Sequence, residues 1–308
     1  MTQKMCLQDL RLTEQLLAFG VKNDVPLSEM TSFRIGGYAS FVLEPKNYSE
    51  LIRMVRFCHE KKVPVYLLGR GTNILAPDSG FSGVVIRFDK PTHPPAWKEN
   101  CVRVCAGTSL TFLAKESVTR GYMGMERLCG IPGTVGGACA MNAGAYGSEI
   151  KQILSRVRVF QDDTDRWIDV KPDQLGYRKS PFSFPNCIVL EAEFCLSPDN
   201  GEAEQRLREA VTQRKEKQPL EFPSAGSVFK RPKGSYAGML VEQCGWKGKS
   251  VGGATVSEKH AGFIINTGGA TERDVLELIT RIQQDVLEKT GYSLECEIRR
   301  MEGGECTF

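Results

Sequence analysis

Residues 126–147 read E-R-L-C-G-I-P-G-T-V-G-G-A-C-A-M-N-A-G-A-Y-G. From Gly130 onward nearly every side chain is small, with glycine at 130, 133, 136, 137, 144 and 147 and alanine at 138, 140, 143 and 145. Such a run cannot build a strong apolar core of its own. It can let backbone pass very close to something else, because glycine reaches unusual dihedrals and small side chains leave amides bare. Two readings fit these residues: a cradle for an extended phosphorylated ligand, or a tightly packed helix-turn in a large core.

A second stretch of similar character precedes it. Pro64 opens a short apolar strand, Val65 to Leu68, that runs straight into Gly69-Arg70-Gly71-Thr72-Asn73. Glycines directly after a buried strand let several amides converge on an anion, and Thr72 and Asn73 add short polar side chains. The order is not the dinucleotide fingerprint, which needs G-x-G-x-x-G opening a helix, nor a P-loop, since no G-K-S/T follows. An ordinary turn remains the other reading. Two such stretches together suit a two-sided clamp on a long pyrophosphate cofactor.

Composition limits the alternatives. The 308 residues allow two or three domains, and the net charge of +3 is too small to imply nucleic acid. No run of 18 apolar residues exists, so no membrane insertion is expected. Residues 1–17 lack the uninterrupted apolar segment of a signal peptide. Eleven cysteines in a chain this long, irregularly spaced, do not read as a disulfide scaffold. Cys58, Cys129, Cys139, Cys187 and Cys244 sit among apolar or small residues, as buried thiols do. The cytoplasm is the expected compartment. No metal site is expected: Cys101 and Cys105 lack a second pair, and His59, His93 and His260 are far apart.

In chain order, residues 5–19 look helical. Ala39 to Leu43 is a strand, and Ser49 can cap a helix to about Lys61. Val84 to Phe88 is another strand, so the first part is a small α+β unit. Residues 89–100 form a loop, 101–105 alternate as a strand, and Thr108 or Ser109 starts a helix ending before Gly121. Strands follow at Leu154–Phe160, Trp167–Val170 and Ile188–Leu196, with a turn at Asp162–Asp165. Ser197 to Gly201 marks a boundary. A charged helix over about 202–217 stops at Pro219. A helix from Tyr236 to Cys244 carries Tyr236, Met239 and Leu240 on its apolar face. Thr271 caps a long helix, Glu272 to Lys289, with Val275, Leu278, Ile279, Ile282 and Val286 inward. Ser293 to Arg299 alternates and puts Glu295, Glu297 and Arg299 on one face. That face is solvated unless the strand closes over a polar site.

The chain resembles the UDP-N-acetylenolpyruvoylglucosamine reductase family of flavoproteins. The resemblance rests on T-S-F-R-I-G-G (31–37), G-R-G-T-N-I-L (69–75), G-I-P-G-T-V-G-G-A (130–138), N-A-G-A-Y-G (142–147), Y-R (177–178), G-S-V-F-K-R-P (226–232) and L-E-C-E-I-R (294–299), all in family order. It implies an α+β protein. A two-part FAD-binding fold of the vanillyl-alcohol-oxidase-like kind (1–92 and 93–197) precedes an additional α+β substrate-binding domain for the UDP-sugar (198–292). The segment 293–308 returns to the active site. The direct run from the G-S-V-F-K block into a helix resembles the family's second, loop-less type. Three departures stand out: Thr72 replaces the usual serine, Cys139 replaces a bulkier residue, and Gly262 replaces an asparagine, which removes a polar contact from that turn.

By the same resemblance, NADPH delivers hydride to non-covalent FAD, and the reduced flavin passes it to the enolpyruvyl ether of UDP-N-acetylglucosamine. No nucleic acid and no obligate protein partner are implied. The implied catalytic residues are Arg178 and Glu297, serving the substrate carboxylate, and Ser227 as proton donor. Lys230 would ease charge on the Ser227 oxygen, and Arg299 would hold Glu297 in place. The implied cofactor-binding residues are Arg34; Gly69, Arg70, Gly71, Thr72 and Asn73; Ile131, Pro132, Gly133, Thr134, Gly136, Gly137 and Ala138; and Asn142, Ala143, Gly144 and Ala145. Tyr177, Arg214, Lys217, Lys230, Arg231 and Arg299 are the implied substrate-binding residues.

Overall fold

The structure, a computed structural model, describes residues 10–183, 185 and 187–302. The part of the expected first helix before Leu10 and the chain end from 303 lie outside the described residues. Helix α1 (Leu10–Leu17) leads into a four-stranded sheet ordered Lys22–Pro26, Tyr38–Leu43, Phe81–Arg87, Val65–Leu68. The first pair is antiparallel and the other pairs are parallel. Helix α2 (Tyr48–Glu60) makes the crossover and buries Leu51, Met54, Val55 and Cys58. Its cap is Asn47 rather than Ser49: the Asn47 side chain accepts the Glu50 amide at 2.9 Å. A serine two positions on lies inside the first turn and cannot cap it.

The next unit is an antiparallel sheet ordered Thr164–Asp169, Leu154–Gln161, Ile188–Cys195, Cys101–Cys105, Ala96–Lys98. The Thr164–Asp169 hairpin turns on two residues only, Asp162 and Asp163, both at positive φ, so the strands run closer to the tip than the sequence suggests. Helix α3 (Leu110–Thr119), capped by Ser109, and helix α4 (Val135–Met141), capped by Thr134, cover this unit. Cys101 and Cys195 stand opposite each other on neighbouring strands, Cα atoms 4.2 Å apart, and their sulfurs are joined. This single pair, 94 residues apart in sequence, involves none of the five cysteines expected as buried thiols. Cys58, Cys129, Cys139, Cys187 and Cys244 are buried.

Helix α5 (Ala203–Lys217) follows the Ser197–Gly201 break, and its Leu207 packs against the core of the preceding unit. The last sheet is antiparallel, ordered Ser224–Ser227, Phe263–Asn266, Ala254–Val256, Ser250–Val251. Helices α6 (Ala237–Gln243) and α7 (Glu272–Thr290) pack on it. All five expected apolar positions of α7 are buried. In α6 the buried face is Ala237, Leu240 and Val241; Tyr236 and Met239 are exposed and line a groove instead.

The C-terminal segment is extended rather than a full strand. Lys230 N–H donates to Glu295 O, Glu297 N–H to Val228 O, Arg299 N–H to Asn73 O and Met301 N–H to Leu75 O. It thus leaves the last sheet at Glu297 and joins the Ile74–Leu75 strand in parallel.

Candidate active site

The two glycine-rich stretches face each other across a seam. A Cβ added to Gly69 would lie 2.7 Å from Thr134 Oγ1, and Thr72 Oγ1 donates to Pro132 O at 3.0 Å. Gly71 has φ +61, and a Cβ there would stand 2.5 Å from Met30 O. Gly71 admits only glycine because backbone meets backbone, whereas at Gly69 the Thr134 side chain fills the space. Among the described residues, no acceptor is seen for the amides of Arg70, Gly71, Thr72 and Asn73, and all four residues line one cavity. Helix α4 contributes differently. Its Val135 and Gly136 amides go to Thr108 O and Ala106 O, and the Gly137 amide goes to Thr134 Oγ1. Gly136 is small because Ala106 packs on it: an added Cβ would meet Ala106 Cβ at 2.9 Å.

The seam floors a cavity of about 1170 Å³. It is lined by Arg34, Gly69 to Asn73, Ile131 to Thr134, Gly136 to Ala138 and Ala143 to Ala145, with Arg178, Arg214, Lys217, Ser227, Glu297 and Arg299. Its length, glycine floor and free amides fit a dinucleotide cofactor such as FAD. Asn142 is not among the lining residues; its side chain is fully buried and bonded within the protein. The Asn73 side chain also turns to protein, donating to Glu297 O at 3.1 Å.

At one end the cavity opens into a groove of about 500 Å³ holding Tyr177, Arg178, Lys217, Ser227, Arg231, Tyr236, His260 and Glu297. Arg178 sits at the tip of a tight turn closed by Gly176 and Lys179, with φ +54. Its Nε donates to Glu297 Oε1 at 2.6 Å and its Nη2 to Gly144 O at 3.1 Å. So Arg178, and not Arg299, holds Glu297. Burial raises the Glu297 pKa above the ordinary carboxylate value, and the Arg178 cation offsets only part of that rise. Ser227 ends the Ser224–Ser227 strand, beside a bulge at Gly226, whose φ is +80. Lys230 turns its ammonium to the exposed Glu295. Lys230 and Arg231 line a third hollow with Lys179 and Arg299 behind the Tyr177 turn. The Arg231 amide donates to Tyr177 Oη at 3.2 Å, and the Arg231 guanidinium lies over the Tyr236 ring.

Two further groups join the site. Arg214, 9% exposed, reaches from α5 toward the Gly130 turn with its guanidinium over Tyr146. Its Nε is buried with no acceptor among the described residues, and burial lowers its pKa. His260 was not singled out by sequence. Its Nδ1 accepts the Gly262 amide at 3.0 Å, so the neutral ring carries its proton on Nε2, and burial keeps the pKa below the ordinary value. A Cβ at residue 262 would stand 2.9 Å from the His260 ring. Gly262 therefore makes room for His260, a signal that the departure at 262 carried.

A glycine-floored dinucleotide cavity that opens on an arginine, a carboxylate and a serine contributed by a separate sheet defines a flavin-dependent oxidoreductase with its own substrate domain. Comparison with known proteins agrees. Residues 39–168 match the family model of an FAD binding domain, and residues 218–301 match that of the UDP-N-acetylenolpyruvoylglucosamine reductase C-terminal domain. The chain is 41% identical over 278 residues to the UDP-N-acetylenolpyruvoylglucosamine reductase of Clostridium perfringens (90% of this chain, 91% of that one). It is 44% identical over 276 residues to that of Caldanaerobacter subterraneus (89% and 91%). The crystal structure of the Thermus caldophilus enzyme superposes with a TM-score of 0.76 at 35% identity, covering 92% of this chain and 99% of that one. The chain belongs to the UDP-N-acetylenolpyruvoylglucosamine reductase family.

Proposed function

We propose that Arg178, Glu297 and Ser227 carry the substrate half of the reaction that this family performs. The chain is an FAD-dependent oxidoreductase that uses NADPH to reduce the enolpyruvyl ether of UDP-N-acetylglucosamine to UDP-N-acetylmuramate, in peptidoglycan precursor synthesis. Bound FAD supplies the hydride relay, from NADPH to the β-carbon of the enol ether. The chain's own task is then to manage the negative charge that grows at the α-carbon and spreads into the substrate carboxylate. Preorganised cations do this best, since they need no reorganisation as the charge appears. Arg178, held by Glu297 and Gly144 O, is such a cation. Ser227 shares the groove with this pair and is the proton donor to the α-carbon in this reading.

The observation that carries the assignment is the Arg178–Glu297 contact at 2.6 Å in one groove with Ser227, at the mouth of the cofactor cavity. Lys217, Arg231, Tyr177 and Arg214 serve the anionic and nucleotide parts of the ligand in this reading, and Lys230 and Arg299 flank them. The cofactor is held without a covalent bond, by the amides of 70–73 and the residues around Gly133. The two FAD-binding parts, 1–92 and 93–197, have the vanillyl-alcohol-oxidase-like arrangement. Residues 198–292 form the substrate domain, with the segment from 293 returning to the site. The direct passage from Lys230 to α6 supports the loop-less type. No helix among the described residues is long and apolar enough to cross a membrane, and small nucleotide substrates suit a cytoplasmic enzyme.

The test uses purified yellow protein without oxygen. NADPH should bleach the flavin absorbance, and the enolpyruvyl UDP-sugar should restore it. Bleaching with no recovery on adding the sugar would overturn the substrate assignment.

A further inference from the structure

Asn142 is the cap of α4, left-handed at φ 42 and ψ 57, and its side chain is 0% exposed. Its amide is fully used. Nδ2 donates to Glu149 Oε2 at 2.9 Å and to Gly176 O at 2.8 Å, and Oδ1 accepts the Lys151 amide at 3.0 Å. Two acceptors and one donor around it allow only this orientation of the amide. It touches neither the cavity nor the groove.

Its partners are the two supports of Arg178. Gly176 roots the turn that carries Tyr177 and Arg178 at its tip, and the same carbonyl closes that turn with the Lys179 amide. Glu149 pairs with Gly144 in a short hairpin, and Gly144 O accepts Arg178 Nη2 at 3.1 Å. A left-handed turn residue needs an outside hold to keep its side chain aimed. A buried amide whose partners are all protein supplies one, since no water competes for it.

We propose that Asn142 is a positioning residue for Arg178: it braces the Gly176 turn against the Gly144–Glu149 hairpin and so fixes the guanidinium that meets the substrate carboxylate. The proposal rests on the assignment of Arg178 made above. It separates Asn142 from the cofactor-binding set to which its sequence neighbours point.

The test compares N142G, R178A and the N142G/R178A double variant by anaerobic stopped-flow absorbance of each half-reaction. Glycine keeps the left-handed backbone and removes the brace. N142G should bind FAD and be reduced by NADPH within about twofold of wild type. Its reoxidation by the enolpyruvyl sugar should slow by about 10- to 100-fold, as for loss of a group that acts through geometry. In the R178A background the same change should slow reoxidation by less than about twofold, since the two act as one unit. If glycine leaves the chain insoluble, N142S serves, because it stays neutral and its short hydroxyl cannot bond Glu149 and Gly176 together. Loss of FAD, an equal fall in both half-reactions, or a full multiplicative loss on top of R178A would overturn the positioning role. A slow R178A beside a normal N142G sinks this proposal alone. A wild-type rate in R178A sinks the reading of Arg178 as well.

Discussion

At the residue scale, the groove sets an unusual demand on Ser227. A serine hydroxyl is a weak acid, and the lysine expected to help it pairs with the exposed Glu295. It can still protonate a strongly basic carbon held at contact distance, because placement replaces acidity. S227A should therefore bind FAD and accept hydride from NADPH at a near-normal rate. Reoxidation by the sugar should slow by about 10²- to 10⁴-fold, the range of a lost general acid. The readout is anaerobic stopped-flow, and a wild-type reoxidation rate in S227A would move the donor to another group of the groove. Ser227, Arg178 and Glu297, which share one groove, lie in short motifs that the sequence displays. The place of His260 in the groove was not marked, and the motif that marks Asn142 pointed to the cofactor instead. The Asn142 side chain bonds a carbonyl 34 residues away, and the His260 ring bonds the amide of a glycine two residues on. A local pattern does not reveal the first of these contacts.

At the element scale, α7 was the most legible part of the chain, since a capped helix with a 3.6-residue apolar stripe needs no tertiary information. The structure adds a second cap from outside. Thr271 Oγ1 serves the Asp274 amide, while Asp78, from the loop after the Ile74–Leu75 strand, accepts the Glu272 amide at 2.8 Å and the Arg273 amide at 3.2 Å. Its carboxylate also complements the positive end of the helix. D78A should lower unfolding stability by about 1–2 kcal/mol, as loss of a cap does, and D78N by less, because asparagine still accepts. Denaturant midpoints of the apo-protein measure this; equal midpoints for D78A and wild type would show that water replaces the carboxylate without cost. Short strands were less legible than helices. Ile74–Leu75 and Arg299–Arg300 are two residues each and exist only because they pair with each other across the chain. The exposed Tyr236 and Met239 of α6 misled for a related reason. Apolar residues that line a ligand groove carry the same pattern as residues that face a core.

At the scale of the whole molecule, the substrate sheet is bolted to the first FAD-binding unit. Phe33, Ile35 and Leu75 are buried in the core of α6 and α7. Ser32 Oγ donates to Ser224 O at 2.6 Å, and Asn266 Nδ2 donates to Phe33 O at 3.1 Å. Arg300 pairs with Glu272 alongside the Asp78 cap. Glu297 and Ser227 thus reach the cavity mouth on one rigid support, with Arg178 arriving from the opposite unit. Ser227, Arg178 and Glu297 line both the cavity and the groove, so they stand where the two meet. If NADPH and the UDP-sugar each bring a reacting carbon to the same cofactor atom through that groove, they should exclude each other. Initial rates at varied NADPH and sugar should give parallel double-reciprocal lines, with inhibition by each substrate at high concentration. NADP⁺ should compete with the sugar for the reduced enzyme. Both patterns follow from geometry alone and do not depend on which residue donates the proton. Intersecting lines, or a stable complex containing enzyme, NADPH and sugar together, would mean that the two ligands approach from different sides and that the cavity has a second mouth.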